Sequence, residues 1–140
     1  MPAKKISATA VAGNANTDSV VTGNHVHRVL YGQVSLTTDA TVANRRVRLQ
    51  AIDDGANVVF NSDAGVVVPA SQSNQAHDFM QGVTRETSFT DNAVQVPIPE
   101  DFVLLPGWTL RVTIVNGVVG DSYEVNFVAD EANAGASNYH

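Results

Sequence analysis

Hydrophobic and polar residues alternate in short runs along most of the chain. Clear examples are "RVRLQAI" at 46–52, "WTLRVTIV" at 108–115 and "SYEVNFVA" at 122–129. A period of two residues is typical of a β-strand with one buried face, because successive side chains point to opposite sides. The pattern therefore predicts a chain built from strands rather than helices.

Turn residues separate these runs and indicate how the strands connect. Pro106 and Gly107 suit the two central positions of a type II turn. The "DDG" after the run at 46–52 predicts a hairpin over 46–61, and its acidic residues suit a turn better than a calcium loop. We also predict strands at 65–70, "GVVVPA", and at 93–99, "AVQVPIP", the latter at a sheet edge because proline cannot donate a ladder hydrogen bond.

Taken together, the pattern predicts an all-β fold: a two-sheet antiparallel β-sandwich of jelly-roll type with about eight strands. The two ends of the chain are richer in small and polar residues. We therefore divide the chain into an N-terminal arm at 1–24, a sandwich domain at 25–130 and a C-terminal tail at 131–140, with both arms flexible. The N-terminal arm is predicted to hold one short strand near 6–11.

Composition narrows the range of partners. The 140 residues carry a net charge of −6, which disfavours nucleic acid because phosphate recognition needs clustered Lys and Arg. The chain has no cysteine, which excludes disulfides and thiolate metal sites. No apolar run approaches the ~20 residues that span a bilayer, so we predict no membrane partner.

A pair of histidines, His25 and His27, is the main candidate for metal chemistry. Their spacing places both imidazoles on one face of a strand, where His77 or Glu86 could act as a third ligand. Metal sites of cupin type continue to a glutamate and a second-motif histidine, and both are missing from "RVLYGQ" and "LPGWTL". We therefore interpret the pair as exposed strand histidines and predict no cofactor and no enzyme, with a cupin-like metal enzyme as an alternative.

A small basic spot, "NRRVR", stands out on this acidic chain. Arg46 and Arg48 are predicted on the outward face of a strand, with Arg45 nearby. They either form a solvated face that discourages edge-to-edge pairing or contact acidic groups on a protein partner, because arginine is favoured in interfaces. Trp108 begins an alternating strand and is interpreted as a core residue, with a sugar platform as its alternative role.

The pairing of "NRRVRLQAIDDGANVVFNS" with a downstream "VLLPGWTLRVTIVNGVVGDSYEVNFVADE" resembles the small jelly-roll cement, or decoration, proteins of tailed-bacteriophage capsids. The resemblance covers 25–130 and is one of layout and style, without a diagnostic motif. It implies a non-enzymatic virion protein on the outer surface of a shell built from an HK97-type major capsid protein. Such a protein clamps neighbouring capsid subunits against the pressure of packaged DNA. It also implies assembly in the host cytoplasm and a symmetric homo-oligomer, for which we expect a dimer.

We assign contacts with the capsid protein or with another copy to the basic spot and to residues of the two arms. The predicted partner-binding residues are Lys4, Lys5, Arg45, Arg46, Arg48 and Tyr139. The alternative function is a tail, fibre or carbohydrate-binding β-sandwich module, in which Trp108 or Tyr123 would bind sugar.

Overall fold

The alternating runs form β-strands in two sheets that pack face to face around one apolar core, in a computed structural model that describes residues 3–134. This confirms the all-β, two-sheet sandwich. In chain order the described residues form ten strands: β1 (Ala3–Ala12), β2 (Thr17–Val20), β3 (His25–Thr37), β4 (Arg46–Ile52), β5 (Val58–Asp63), β6 (Gln75–Met80), β7 (Ala93–Pro97), β8 (Phe102–Leu104), β9 (Thr109–Val115) and β10 (Ser122–Asn133).

The strands divide unequally between the two sheets. The larger sheet has six strands in the order β1-β10-β3-β6-β7, with β8 also paired to β3. The smaller sheet has four in the order β2-β9-β4-β5. Neighbouring strands are antiparallel except for β6 and β7, which run parallel. The antiparallel sandwich is therefore interrupted at one edge, and the jelly-roll subclass stays a prediction.

The first 24 residues are not a loose arm, so this prediction is wrong. β1 pairs with β10, and β2 pairs with β9, which adds one strand to each sheet. Ile6 and Val21 are 7% and 1% exposed and belong to the core. The short strand predicted near 6–11 lies within β1 and is confirmed. Most residues of "KISATAVA" are small, so the pattern did not show the full length of β1 or its place in the sheet. The sandwich therefore begins at Ala3 rather than at 25, and β10 carries it to Asn133.

The strand predicted at 65–70 does not form. Val68 makes only an isolated bridge with Arg45. Gly65 packs so closely against a neighbouring loop that an added Cβ would lie 2.6 Å from the carbonyl oxygen of Glu86, and Pro69 has no N–H to donate. The segment is therefore a packed loop, although its run of three valines suggested a strand.

The predicted turns are confirmed. Gly107 has a φ of 81°, and the N–H of Trp108 donates to the carbonyl of Leu105 at 3.0 Å, as a type II turn requires. β4 and β5 pair as the expected hairpin, whose turn is closed by a hydrogen bond of 2.9 Å from the Asp53 N–H to the carbonyl of Asn57. Proline and glycine therefore located these two turns correctly.

A glycine in the middle of the larger sheet makes room for the aromatic core. Gly32 on β3 lies between Phe127 on β10 and Phe79 on β6 in the strand register. The two phenylalanine rings have centroids 5.7 Å apart, and the ring of Phe127 fills the space where a Cβ of Gly32 would point. The absence of a side chain at Gly32 is thus a packing requirement.

Gly32→Ala is expected to lower the free energy of unfolding by about 1–3 kcal/mol, because the added methyl overpacks a filled core. Urea unfolding measures the change. Gly55→Ala is the matched control, since a Cβ there meets nothing closer than 3.2 Å. An unchanged midpoint for Gly32→Ala would show that the Phe127 ring can move aside at no cost, contrary to this account.

Candidate partner-binding surfaces

The histidine pair lies on the inward face of β3, not on its wet side. His25 and His27 alternate in register with Val29, whose side chain is fully buried. His27 is 2% exposed, and its Nε2 donates to Glu131 Oε2 at 2.7 Å. The spacing correctly placed both rings on one face, but the interpretation of two exposed histidines is wrong for His27. Alternation alone does not say which face becomes the core.

His27 belongs to a charged cluster that joins three strands. Glu131 on β10 also lies 3.7 Å from the ammonium group of Lys4 on β1. The hydrogen bond from His27, together with the charge of Lys4, lowers the pKa of Glu131 below its ordinary value. Lys4, which was predicted to contact a partner, is thus an ion-pair partner within the chain, although it remains 42% exposed.

The other predicted ligands lie elsewhere. His77 pairs with β3 seven residues beyond His27, which corresponds to about 23 Å along the strand. It is fully buried, and its Nδ1 donates to the carbonyl of Gln75 at 3.0 Å. Glu86 Oε1 accepts the N–H of Gln95 at 2.7 Å. Within residues 3–134 no group of three or more metal-ligating side chains comes together.

Arg45 is the most buried charge of the basic spot, so its assignment as a partner contact is wrong. Its side chain is fully buried and forms a bidentate pair with Asp121, with distances of 2.9 Å from Nε and 3.0 Å from Nη2. Nη2 also donates to Asp39 Oδ1 at 3.1 Å, and Nη1 donates to the carbonyl of Ala43 at 2.9 Å. No local pattern could indicate this pairing, because Arg45 and Asp121 are 76 residues apart.

Asp121 is the acceptor on which this network converges. Besides Arg45, its carboxylate accepts the N–H of Asp39 at 2.9 Å and the N–H of Val118 at 3.1 Å. Burial acts to raise the pKa of Asp121, but the hydrogen bonds from Arg45 and from the two backbone N–H groups hold it below its ordinary value. Arg45, Asp121 and Asp39 are called the buried arginine network below.

Arg46 and Arg48 project outward from β4, as the alternation predicted. Arg48 is held by Asp63 in a bidentate pair, with distances of 2.5 Å and 2.9 Å, which raises the pKa of Arg48 and lowers that of Asp63. Arg46 makes no ion pair with any residue between 3 and 134. It borders a hollow of about 310 Å³, the Arg46 hollow, lined by Asn44, Arg46, Arg48, Asp63, Val67, Val115 and Asn116.

The outer face of the larger sheet carries a shallow groove of about 350 Å³, the sheet groove. Tyr31, Met80 and Val128 supply its apolar surface, and Tyr31 is 53% exposed. Lys5 lies on one side of the groove and Asp78 on the other, three strands apart. The two lysines of β1 thus point to opposite faces, and only Lys5 borders this groove. Tyr139, also predicted as a contact, lies outside the described residues.

The outer edge of the smaller sheet, formed by β5, is apolar and open. Val58 and Val59 are 53% and 49% exposed, and β5 ends the strand order of its sheet. β5 has a register shift of its own at Val59, but the other edges carry further features that hinder pairing: lysines in β1, only four residues in β2, and Pro97 in β7. The signal in the sequence was the break in alternation at "NVVFN", where two adjacent valines cannot both face the core.

The aromatic residues proposed for sugar binding are part of the core. Tyr123 is 2% exposed, and its hydroxyl donates to the carbonyl of Ala15 at 2.6 Å. Burial raises the pKa of Tyr123. Trp108 packs against the core, as interpreted, and is only partly exposed. Neither ring therefore offers the flat exposed face on which a sugar would stack.

No protein-family model matches the chain, and a search of curated proteins found none similar to it. Between residues 3 and 134 there is no helix of the length and hydrophobicity that a membrane crossing requires. The class of protein that the geometry defines is a two-sheet β-sandwich with apolar surfaces on both sheets.

Proposed function

We propose that the protein is a non-enzymatic structural component of a virion, which binds the outer surface of a phage capsid and clamps neighbouring subunits of an HK97-type major capsid protein. One observation carries this proposal: two apolar surfaces lie on different sheets of one body. The sheet groove around Tyr31 is on the larger sheet, and the β5 edge with Val58 and Val59 is on the smaller one. A clamp must hold two neighbours at once, and separated surfaces allow this.

The β5 edge suits attachment to a neighbouring strand. An unpaired edge presents backbone N–H and C=O groups, and an added strand satisfies them while side chains provide selectivity. Val58 and Val59 would become buried by such a strand. Each contact can be weak, because many copies bind one lattice and every copy bridges subunits that are already close together.

The sheet groove suits a second copy of the chain. Lys5 and Asp78 lie on opposite sides of the groove, so a two-fold axis that runs parallel to the strands, between two copies packed groove to groove, would bring each Lys5 towards the partner's Asp78. A two-fold interface is self-complementary in this way, with the same patch used by both copies. A symmetric dimer built through the sheet groove would direct two β5 edges towards two places on the shell.

Wild-type protein is expected to bind empty heads, assembled from the major capsid protein of the same genome, at a fixed stoichiometry and to raise their temperature of disruption. Co-sedimentation and thermal scanning of the heads measure both effects. If the protein neither sedimented with heads nor changed their heat resistance, the proposed function would be wrong.

Val59→Lys is expected to weaken this binding about tenfold or more, because a charge on an edge strand opposes strand addition and removes apolar contact. Val20→Lys is the matched control, since Val20 is 50% exposed on the β2 edge. Equal binding of Val59→Lys and wild type would show that the β5 edge does not contact the shell.

A further inference from the structure

Two loops at one end of the sandwich carry the most exposed large apolar side chains within residues 3–134. Val42, in the loop between β3 and β4, is 93% exposed, and Val119, in the loop between β9 and β10, is 74% exposed. We call these two loops the loop end. Single exposed valines are ordinary on protein surfaces and do not by themselves indicate a binding site. The contacts that hold the two loops in place are therefore decisive.

The hydrogen bonds and ion pairs of the buried arginine network join the two loops. Arg45 and Asp39 flank Val42 in the chain, and both bind the carboxylate of Asp121, which follows Val119 by two residues. Asp121 also accepts the N–H of Val118 within the second loop. Each valine is therefore close in sequence to groups that are fixed by hydrogen bonds.

Two further contacts join the loops near their surface. The side-chain amide of Asn116 donates to the carbonyl of Asn44 at 3.1 Å. Gly120 packs directly against Asp39, where any side chain would overlap the carboxylate. A loop fixed in this way loses little conformational freedom when it binds, so more of the binding free energy of its valines is retained.

A cation lies beside the loop end. Arg46 is paired in register with Val115, directly before Asn116, and the Arg46 hollow is bordered by Asn44 and Asn116. Arg48, the other outward arginine of β4, already forms an ion pair with Asp63. On a chain of net charge −6, an approaching acidic side chain meets a favourable partner at Arg46.

We infer that the loop end, through Val42, Val119 and Arg46, is a second surface that docks onto the capsid shell, in addition to the β5 edge. Its partner is a protein segment with an aliphatic or aromatic depression beside an Asp or Glu carboxylate. This inference depends on the proposed function and adds to it the surface of contact and the chemistry that the shell must present. It is distinct from the sheet groove and the β5 edge, which involve other residues.

The test compares binding of full-length variants to the same empty heads. Val42→Ser combined with Val119→Ser is expected to weaken binding by about tenfold for each valine that is buried on docking. Arg46→Gln is expected to weaken it further and to reduce its dependence on salt concentration. Val20→Ser, at the opposite end of the smaller sheet, and Arg28→Gln, on the larger sheet, are matched controls that should bind as wild type does.

The outcomes separate this inference from the proposed function. If wild type binds and the double valine variant binds equally well, or no more weakly than Val20→Ser, the loop end does not contact the shell and the proposed function stands. If only Arg46→Gln behaves as wild type, the acidic partner group is overturned. If wild type itself fails to bind, both the proposed function and this inference are wrong. Unchanged thermal unfolding midpoints show that the variants are folded.

Discussion

Arg45→Met is expected to lower the free energy of unfolding by about 3–5 kcal/mol, the range found when one partner of a buried ion pair is removed. The substitution leaves the carboxylate of Asp121 buried without its cation and removes a donor from Asp39. It also leaves the carbonyl of Ala43 without its hydrogen bond from Nη1. Urea unfolding at pH 7 measures the loss.

Arg48→Met provides the comparison, because the Arg48–Asp63 pair has similar geometry but both side chains are about one-third exposed. Such pairs contribute about 0–1 kcal/mol. Arg45→Lys keeps the charge but cannot form the bidentate pair, so an intermediate loss is expected. Equal losses for Arg45→Met and Arg48→Met would mean that burial of the network does not matter to stability.

Stability is expected to fall as the pH drops from 6.5 towards 4, because of His77. Burial lowers the pKa of His77 from 6.5 to about 4. Between these two pH values the unfolded chain binds a proton on His77 that the folded chain does not bind. The stabilisation is complete above pH 6.5 and is lost progressively down to pH 4. A difference of this size corresponds to about 3 kcal/mol.

The surroundings of His77 explain why the neutral ring is required. Nδ1 donates to the backbone carbonyls of Gln75 and Val34. The imidazole ring packs against the ring of Phe89 in a T-shaped arrangement, with centroids 5.4 Å apart. Nε2 is buried and has no hydrogen-bond partner between residues 3 and 134, so a proton added there gains nothing to offset its desolvation.

Urea unfolding at several pH values between 4 and 7.5 tests this effect. His77→Leu is expected to flatten the profile, whereas His25→Gln should keep it. A slope that is the same in His77→Leu and wild type would assign the effect to another group. Below pH 4 a second loss is expected as Asp63 and Asp121 are protonated, since the pKa values of both carboxyl groups are held below their ordinary range by arginine.

The sandwich could be predicted because alternation is a local property of each strand, visible in runs such as "WTLRVTIV", which forms β9. The same rule located only part of β1, near 6–11, because its small residues give little hydrophobic contrast. It also could not assign the inward face of β3, because burial of His27 depends on Glu131, which is 104 residues away. Arg45 was wrongly predicted at the surface because its partner, Asp121, is 76 residues away. Local pattern identifies strands, whereas pairing between distant polar residues decides which charges reach the surface.

The pairing of β1 with β10 fixes where the two ends of the described chain emerge. Ala3 lies opposite Asp130, and Ala12 lies opposite Ser122, so β1 runs about 30 Å from the chain ends towards the loop end. Ala134, whose N–H donates to the carbonyl of Asn24, is at the same side as Ala3. A peptide or enzyme fused before Ala3 or after Ala134 would thus leave the sandwich on the side away from Val42 and Val119, an arrangement suited to a display scaffold.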